Sequence, residues 1–172
     1  MASRLQHEIQ QSKPFQTLEL EAMLNLARTS DEVRRLLQQI LKPYGVSETQ
    51  FNVLRILRGA GTDGLTCAQI SERMITHAPD ITRLLDRLQQ RALVVREREE
   101  QDRRVVLSRI TAAGLELLKL ASNALDDTPV TLLQSLSKDR IEVLIELLEE
   151  IRCAAQRERR RHAACAESSV AS

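Results

Sequence analysis

Apolar positions near the start of the chain settle into clean helical spacing over residues 33–41. They fall at Phe15, Leu18, Met23, Leu24 and Leu26, then at Val33, Leu36, Leu37, Ile40 and Leu41. With no Gly or Pro between residues 15 and 41, this predicts one long helix, stopped by Pro43 and Gly45. Ser47-Glu48-Thr49-Gln50 reads as a capping box for a second helix that buries Phe51, Leu54 and Leu57, with Val53 and Ile56 alongside. Gly59, Gly61 and Gly64 break it. A further capping box, Thr66-Cys67-Ala68-Gln69, opens a short third helix with Ile70 and Met74 inward. Thr76 is the candidate N-cap of a fourth, with Pro79 in its first turn. Ile81, Leu84, Leu85 and Leu88 lie on one side of that helix, which ends near Arg91.

The period then changes from helical to alternating. Leu93 to Arg98 and Val105 to Ile110 are rich in β-branched residues and flank the polar stretch Glu99 to Arg104, which predicts a two-stranded hairpin with a charged tip. Thr111 caps a fifth helix carrying Leu115, Leu117, Leu118 and Leu120. Ser137 caps a sixth, with Ile141, Leu144, Ile145, Leu148 and Ile151 on one stripe. The tail from Gln156 is rich in Arg and Ala and is expected to fray. Two short helices, a tight turn and a hairpin make a winged helix-turn-helix in a mainly α (α+β) chain. The long first and last helices are too apolar to stand alone in water, so pairing with a second subunit is expected. The expected division is a flexible segment at 1–14, a helical dimerisation region at 15–45 and 112–155, the winged unit at 46–111 and a disordered tail at 156–172.

Composition narrows the choice of class. Of 172 residues, 42% are hydrophobic, enough for a real core, and only Phe15, Tyr44 and Phe51 are aromatic. That disfavours a β-sandwich or barrel, and base-stacking on a sheet. No apolar run approaches a membrane span, and residues 1–14 lack an apolar signal core. Three cysteines, an odd number without ligand spacing, fit reduced thiols in a cytoplasm. Lys+Arg number 25 against 24 Asp+Glu. Twenty-one of the cations are Arg, whose planar fork suits phosphates and guanine edges, a bias that GC-rich coding produces equally.

The segment Ile81-Thr82-Arg83-Leu84-Leu85-Asp86-Arg87-Leu88 is followed by Leu93-Val94-Val95-Arg96, Asp102-Arg103-Arg104 and Ile110-Thr111-Ala112-Ala113-Gly114. In that order and spacing the chain resembles the MarR family of dimeric winged-helix transcriptional regulators, closely over about residues 47–114. Where that family usually has Gly after the recognition helix, this chain has Ala92. The resemblance implies that the fourth helix enters the major groove of double-stranded DNA with its N-terminal half toward the bases. His77, Ala78, Asp80, Thr82 and Arg83 occupy those positions. Arg83 can fork onto guanine, and Ala78 can meet a thymine methyl. Asp80 either accepts from a cytosine amine or stabilises the helix N-terminus. Thr76 is either a phosphate contact or the cap, and Arg87 either a phosphate contact or the partner of Asp86 or Glu72. By motif position Arg104 enters the minor groove, with Arg103 near phosphate. Asp102 would tether the tip through Arg96 or Arg98. Glu97, Glu99 and Glu100 make this hairpin unusually acidic.

The function expected is that of a cytoplasmic homodimer binding a pseudo-palindromic operator, a repressor relieved by a small aromatic or phenolic effector. Tyr44 and Phe51 are candidates to line the effector pocket, and core packing accounts equally for Phe51. A helical interaction scaffold is one alternative, although it leaves the hairpin unexplained. A thiol-based redox sensor through Cys67 is the other. Cys67 reads better as a small packed hydrophobe, as does Cys153, and Cys165 lies in the tail. His7, His77 and His162 are scattered, with no nucleophile–base pair and no Gly-rich phosphate loop, so neither an enzyme nor a metal or cofactor site is expected.

Overall fold

Most helix starts in the computed structural model fall where a side chain caps them. The structure describes residues 3–76, 80–99, 102 and 104–170, with the backbone alone for 166–170. The chain divides by packing into two units, Met1–Leu125 and Asp126–Ser172.

In the first unit, α1 (Arg4–Glu8) begins at Ser3, and its Leu5 is buried. This short helix lies within the opening segment 1–14, expected to be flexible. α2 (Leu18–Leu41) begins at Thr17, whose Oγ1 accepts the Leu20 N–H at 3.2 Å. Hydrogen bonds from its own backbone N–H and from Thr17 hold the Glu19 carboxyl below the usual carboxylate range. A 3₁₀ turn at Lys42–Tyr44 and a left-handed Gly45 (φ 65°) end this arm. α3 (Glu48–Gly59) and α4 (Cys67–Arg73) each open with a complete capping box, Ser47 with Gln50 and Thr66 with Gln69. Local i,i+3 reciprocity of this kind is readable from sequence.

The next helix corrects the expectation. α5 (Ile81–Gln90) is capped by Asp80, whose Oδ1 accepts the Arg83 N–H at 2.9 Å, and not by Thr76. Asp ranks above Thr as an N-cap, and its charge also meets the positive end of the helix dipole. Pro79, expected in the first turn, lies outside the described residues.

β1 (Val94–Arg98) pairs antiparallel with β2 (Val106–Ile110) in a register running from Val94–Ile110 to Arg98–Val106. Leu65 adds a bridge to Ser108, with hydrogen bonds of 3.0 and 2.8 Å between the two backbones. The loop before α4 thus extends the sheet, which the sequence did not reveal. α6 (Ala112–Leu125) starts where the Thr111 hydroxyl donates to the Ala92 carbonyl at 2.7 Å and accepts the Gly114 N–H at 3.0 Å. A Cβ on Gly114 would lie 2.3 Å from the Leu93 carbonyl oxygen, so only glycine lets the helix approach the strand this closely. Gly114 then sets Leu118 and Ala121 inward at helical spacing, and both are fully buried. Leu115 and Leu120, named with Leu118 among the apolar residues of this helix, are 43% and 50% exposed on the other side. The core joins Leu41, Phe51, Leu54, Leu57, Ile70, Leu85, Leu88, Val94 and Leu118, with others, from every major element of this unit.

The second unit contains α7 (Thr128–Leu133), unanticipated although Pro129 in its first turn is a start signal, and α8 (Lys138–Val170). The Ser137 hydroxyl accepts the Arg140 N–H at 3.4 Å at the start of α8. Ile141, Leu144 and Leu148 are half-buried, while Ile145 and Ile151 of the same expected stripe are exposed. Instead of fraying from Gln156, the helix continues to Val170. Cys153, expected to pack, is exposed on it. Among the described residues no helix is long and apolar enough to cross a membrane.

Candidate nucleic-acid interface

α5 divides sharply into two faces. Ile81, Leu85 and Leu88 are buried and Leu84 half-buried, as its period predicts. Thr82, Arg83 and Arg87 are exposed on the other side, with Asp86 half-buried at its edge. The Arg83 side chain is 75% exposed, and its Nε lies 3.9 Å from Asp80 Oδ2, a loose pair that leaves the fork available. Arg87 has no ion pair among the described residues, and Asp86 is engaged elsewhere. Thr76 is described but does not cap the helix. His77, Ala78 and Arg103, assigned to DNA from the sequence, lie outside the described residues.

The turn after α4 and the C-terminal end of α5 are each held by hydrogen bonds. Ahead of it, Asn52 Oδ1 on α3 accepts the Ile75 N–H at 3.1 Å and ties down the turn after α4. Behind it, the Leu93 N–H bonds to the Leu88 carbonyl at 3.0 Å and the Ala92 N–H to the Gln89 carbonyl at 2.8 Å, with Ala92 at φ 56°. This is a Schellman closure with Ala at the position that favours Gly. The Arg91 guanidinium donates to the Gly45 and Tyr44 carbonyls, linking the end of the recognition helix to the end of the α2 arm.

The hairpin is held by pairs that differ from those expected. Arg96, its side chain only 19% exposed, bonds Asp86 on α5 and so sets the angle between hairpin and helix. It does not meet Asp102. Arg98 has no ion pair among the described residues. Asp102 instead stabilises its own turn: its Oδ1 accepts the Arg104 N–H at 2.9 Å, and its carbonyl accepts the Val105 N–H at 2.9 Å. The reason is distance along the chain. A short carboxylate reaches a backbone amide two residues on more readily than a guanidinium across a six-residue tip. Arg104 is exposed at that tip. Arg109, which sequence reasoning missed, donates to the carbonyls of Thr62 (2.6 Å) and Asp63 (3.2 Å) and to Glu97 Oε2 (3.1 Å). It therefore offsets one of the acids of the hairpin. Only the two-residue offset between Arg109 and Glu97 in the strand register could have signalled it.

Phe51 belongs to the core and Tyr44 packs half-buried against it. Cys67 is likewise half-buried against the core at the start of α4. Among the described residues no group of three His, Cys, Asp or Glu is placed to hold a metal ion.

A helix with an exposed polar face, closed at its C-terminal end and braced against a hairpin whose tip exposes Arg104, defines a winged-helix DNA-binding protein. Comparisons with known proteins agree. A model of the MarR family matches residues 44–105. The chain is 31% identical over 108 residues to the HTH-type transcriptional regulator YkoM of Bacillus subtilis, covering 60% of this chain and 69% of that one. A MarR transcription factor structure from Planctomyces limnophilus is 40% identical, with a TM-score of 0.61 over 78% of this chain and 98% of the other. The structure of the PcaV transcriptional regulator from Streptomyces coelicolor with its natural ligand is 28% identical, with a TM-score of 0.63 over 76% and 91% of the two chains. The chain belongs to the MarR family and is a DNA-binding transcriptional regulator.

Proposed function

We propose that the chain is a cytoplasmic homodimeric repressor that reads a pseudo-palindromic operator and releases it on binding a small aromatic or phenolic effector. The observation that carries this reading is the exposed face of α5, with Thr82, Arg83 and Arg87 on a helix capped by Asp80 and tied at its C-terminal end through Arg91. Arg83 reads guanine through O6 and N7, Arg87 meets phosphate and Arg104 enters the minor groove. Asp80 acts as the cap, with no separate base contact needed to explain it.

Dimerisation is supported by apolar side chains left in water. Leu18 and Met23 on α2, Leu115 and Leu120 on α6, and Val143, Ile145, Leu147 and Ile151 on α8 are all exposed in the single chain. Surfaces of this kind mark contacts with a partner, and a two-fold axis is the commonest way to cover them. They lie within the segments 15–45 and 112–155. The effector reading rests on the Arg91 link: a ligand lodged beside Tyr44 that displaced this guanidinium would loosen the end of α5. The ligand complex of PcaV supports a small-molecule site in a relative.

Footprinting on a bound duplex tests the proposal. Two protected half-sites with centres about one helical turn apart are expected, and added phenolic acids should weaken them. One half-site bound at full affinity contradicts the dimeric reading.

A further inference from the structure

The Arg-rich end of α8 lies in the second unit and is not among the residues assigned to the interface above. From Arg152 to Arg161 the helix carries Arg152, Arg157, Arg159, Arg160 and Arg161 against a single acid, Glu158. The half before it is acidic, with Asp139, Glu142, Glu146, Glu149 and Glu150 against Lys138 and Arg140. That first half is partly paired, Lys138 with Glu142 at 3.5 Å and Glu149 with Arg152 at 3.9 Å. In the second half Glu158 lies 3.5 Å from Arg161 and 4.0 Å from His162, while Arg157, Arg159 and Arg160 have no ion pair among the described residues. Every residue from Ile151 to Cys165 is exposed.

Among the described residues of α8 nothing rewards this arrangement. Arg157, Arg160 and Arg161 share one face at i, i+3 and i+4, where like charges repel. The helix dipole favours cations only in the last turn, and α8 runs on to Val170. The neighbouring Ala154, Ala155, Ala163 and Ala164 offer no apolar mass to bury. A solvated face kept for solubility would mix signs, whereas this segment sets five Arg against Glu158.

We infer that the segment from Arg157 to Arg161 docks the phosphate backbone of duplex DNA, as a contact additional to the winged unit and indifferent to base sequence. This rests on the reading of the chain as a DNA-binding protein. The three guanidiniums on one face spread over about 6 Å of helix axis at about 1.5 Å per residue. Phosphates of one strand follow each other every 3.4 Å or so along the duplex axis, so the cluster spans neighbouring phosphates. Arg supplies the fork that meets phosphate oxygens two at a time.

The test is a salt titration of the full chain on a labelled random-sequence duplex of roughly 40 base pairs, about four helical turns. Wild type is compared with Arg157, Arg159, Arg160 and Arg161 all changed to Gln, and with the same four changed to Lys. Each phosphate contact contributes about 0.9 to the slope of log affinity against log salt. The Gln variant is expected to lose about 1 to 4 from the magnitude of that slope, with helix content by circular dichroism unchanged; the Lys variant should keep it. A Gln variant with the wild-type slope overturns the inference while leaving DNA binding by the winged unit intact. If that variant instead loses binding to phosphatidylserine vesicles, the segment is a membrane-surface contact and the inference is wrong. Failure of wild type to bind any duplex would overturn the DNA-binding reading itself.

Discussion

At Ala92 a single backbone angle fixes how the recognition helix ends. Its φ of 56° allows the Leu93 and Ala92 amides to close α5 onto the Leu88 and Gln89 carbonyls, and its own carbonyl accepts from Thr111. The left-handed region costs a residue with a Cβ about 1–2 kcal/mol. Glycine removes that cost but adds freedom to the unfolded chain, which returns about 0.5–1 kcal/mol. Ala92 is exposed, so no packing is lost with its methyl. Ala92→Gly is therefore expected to stabilise the protein by up to about 1 kcal/mol, raising the thermal midpoint by about 2–4 °C. A lower midpoint in a melting experiment would show that the closure does not carry this strain. The sequence pointed to this residue because a motif placed glycine there. It could not show whether the turn or the angle would give way, and the two hydrogen bonds of the closure kept the angle.

Among the elements, the hairpin separates two accounts of one carboxylate. If Asp102 worked as an ion-pair tether, Asn in its place would fail as Ala does. In the structure Asp102 acts through a hydrogen bond from the Arg104 N–H, which an amide oxygen accepts equally well. Asp102→Ala is expected to weaken operator binding about 3- to 10-fold, because a loosened tip must be ordered at each association. Asp102→Asn should bind as wild type or tighter, since it keeps the turn and removes a negative charge near phosphate. Titration of both variants against one duplex at fixed salt decides; equal losses would restore the ion-pair account. Elements whose signals are local were legible in advance. The capping boxes of α3 and α4, the apolar face of α5 and the two strands all depend on residues a few positions apart. The Leu65–Ser108 bridge and the inward face of α6 were not legible, because the first joins residues far apart in sequence and the second is set by the contact of Gly114 with Leu93.

Over the whole molecule, the cationic face of α5 could be read from its period, but what aims it could not. Arg96 with Asp86, Arg91 with Gly45 and Arg109 with Thr62 link residues 10, 46 and 47 positions apart. Arginines so placed look in sequence like any other surface charge. In the structure Arg91 and Arg96 brace the helix and Arg109 ties the hairpin to the loop before α4, while Arg83, Arg87 and Arg104 remain exposed. The account therefore turns on whether the free face of α5 reads bases. Selection of bound duplexes from a random pool, carried out with wild type and with Arg83→Ala, tests this most directly. Wild type should enrich a two-fold-related sequence with a guanine in each half-site. The variant should lose preference at that one position, at a cost of about 1–3 kcal/mol, and keep the rest of the site. No enriched sequence with wild type, or an equal loss of affinity for every sequence with the variant, would contradict it.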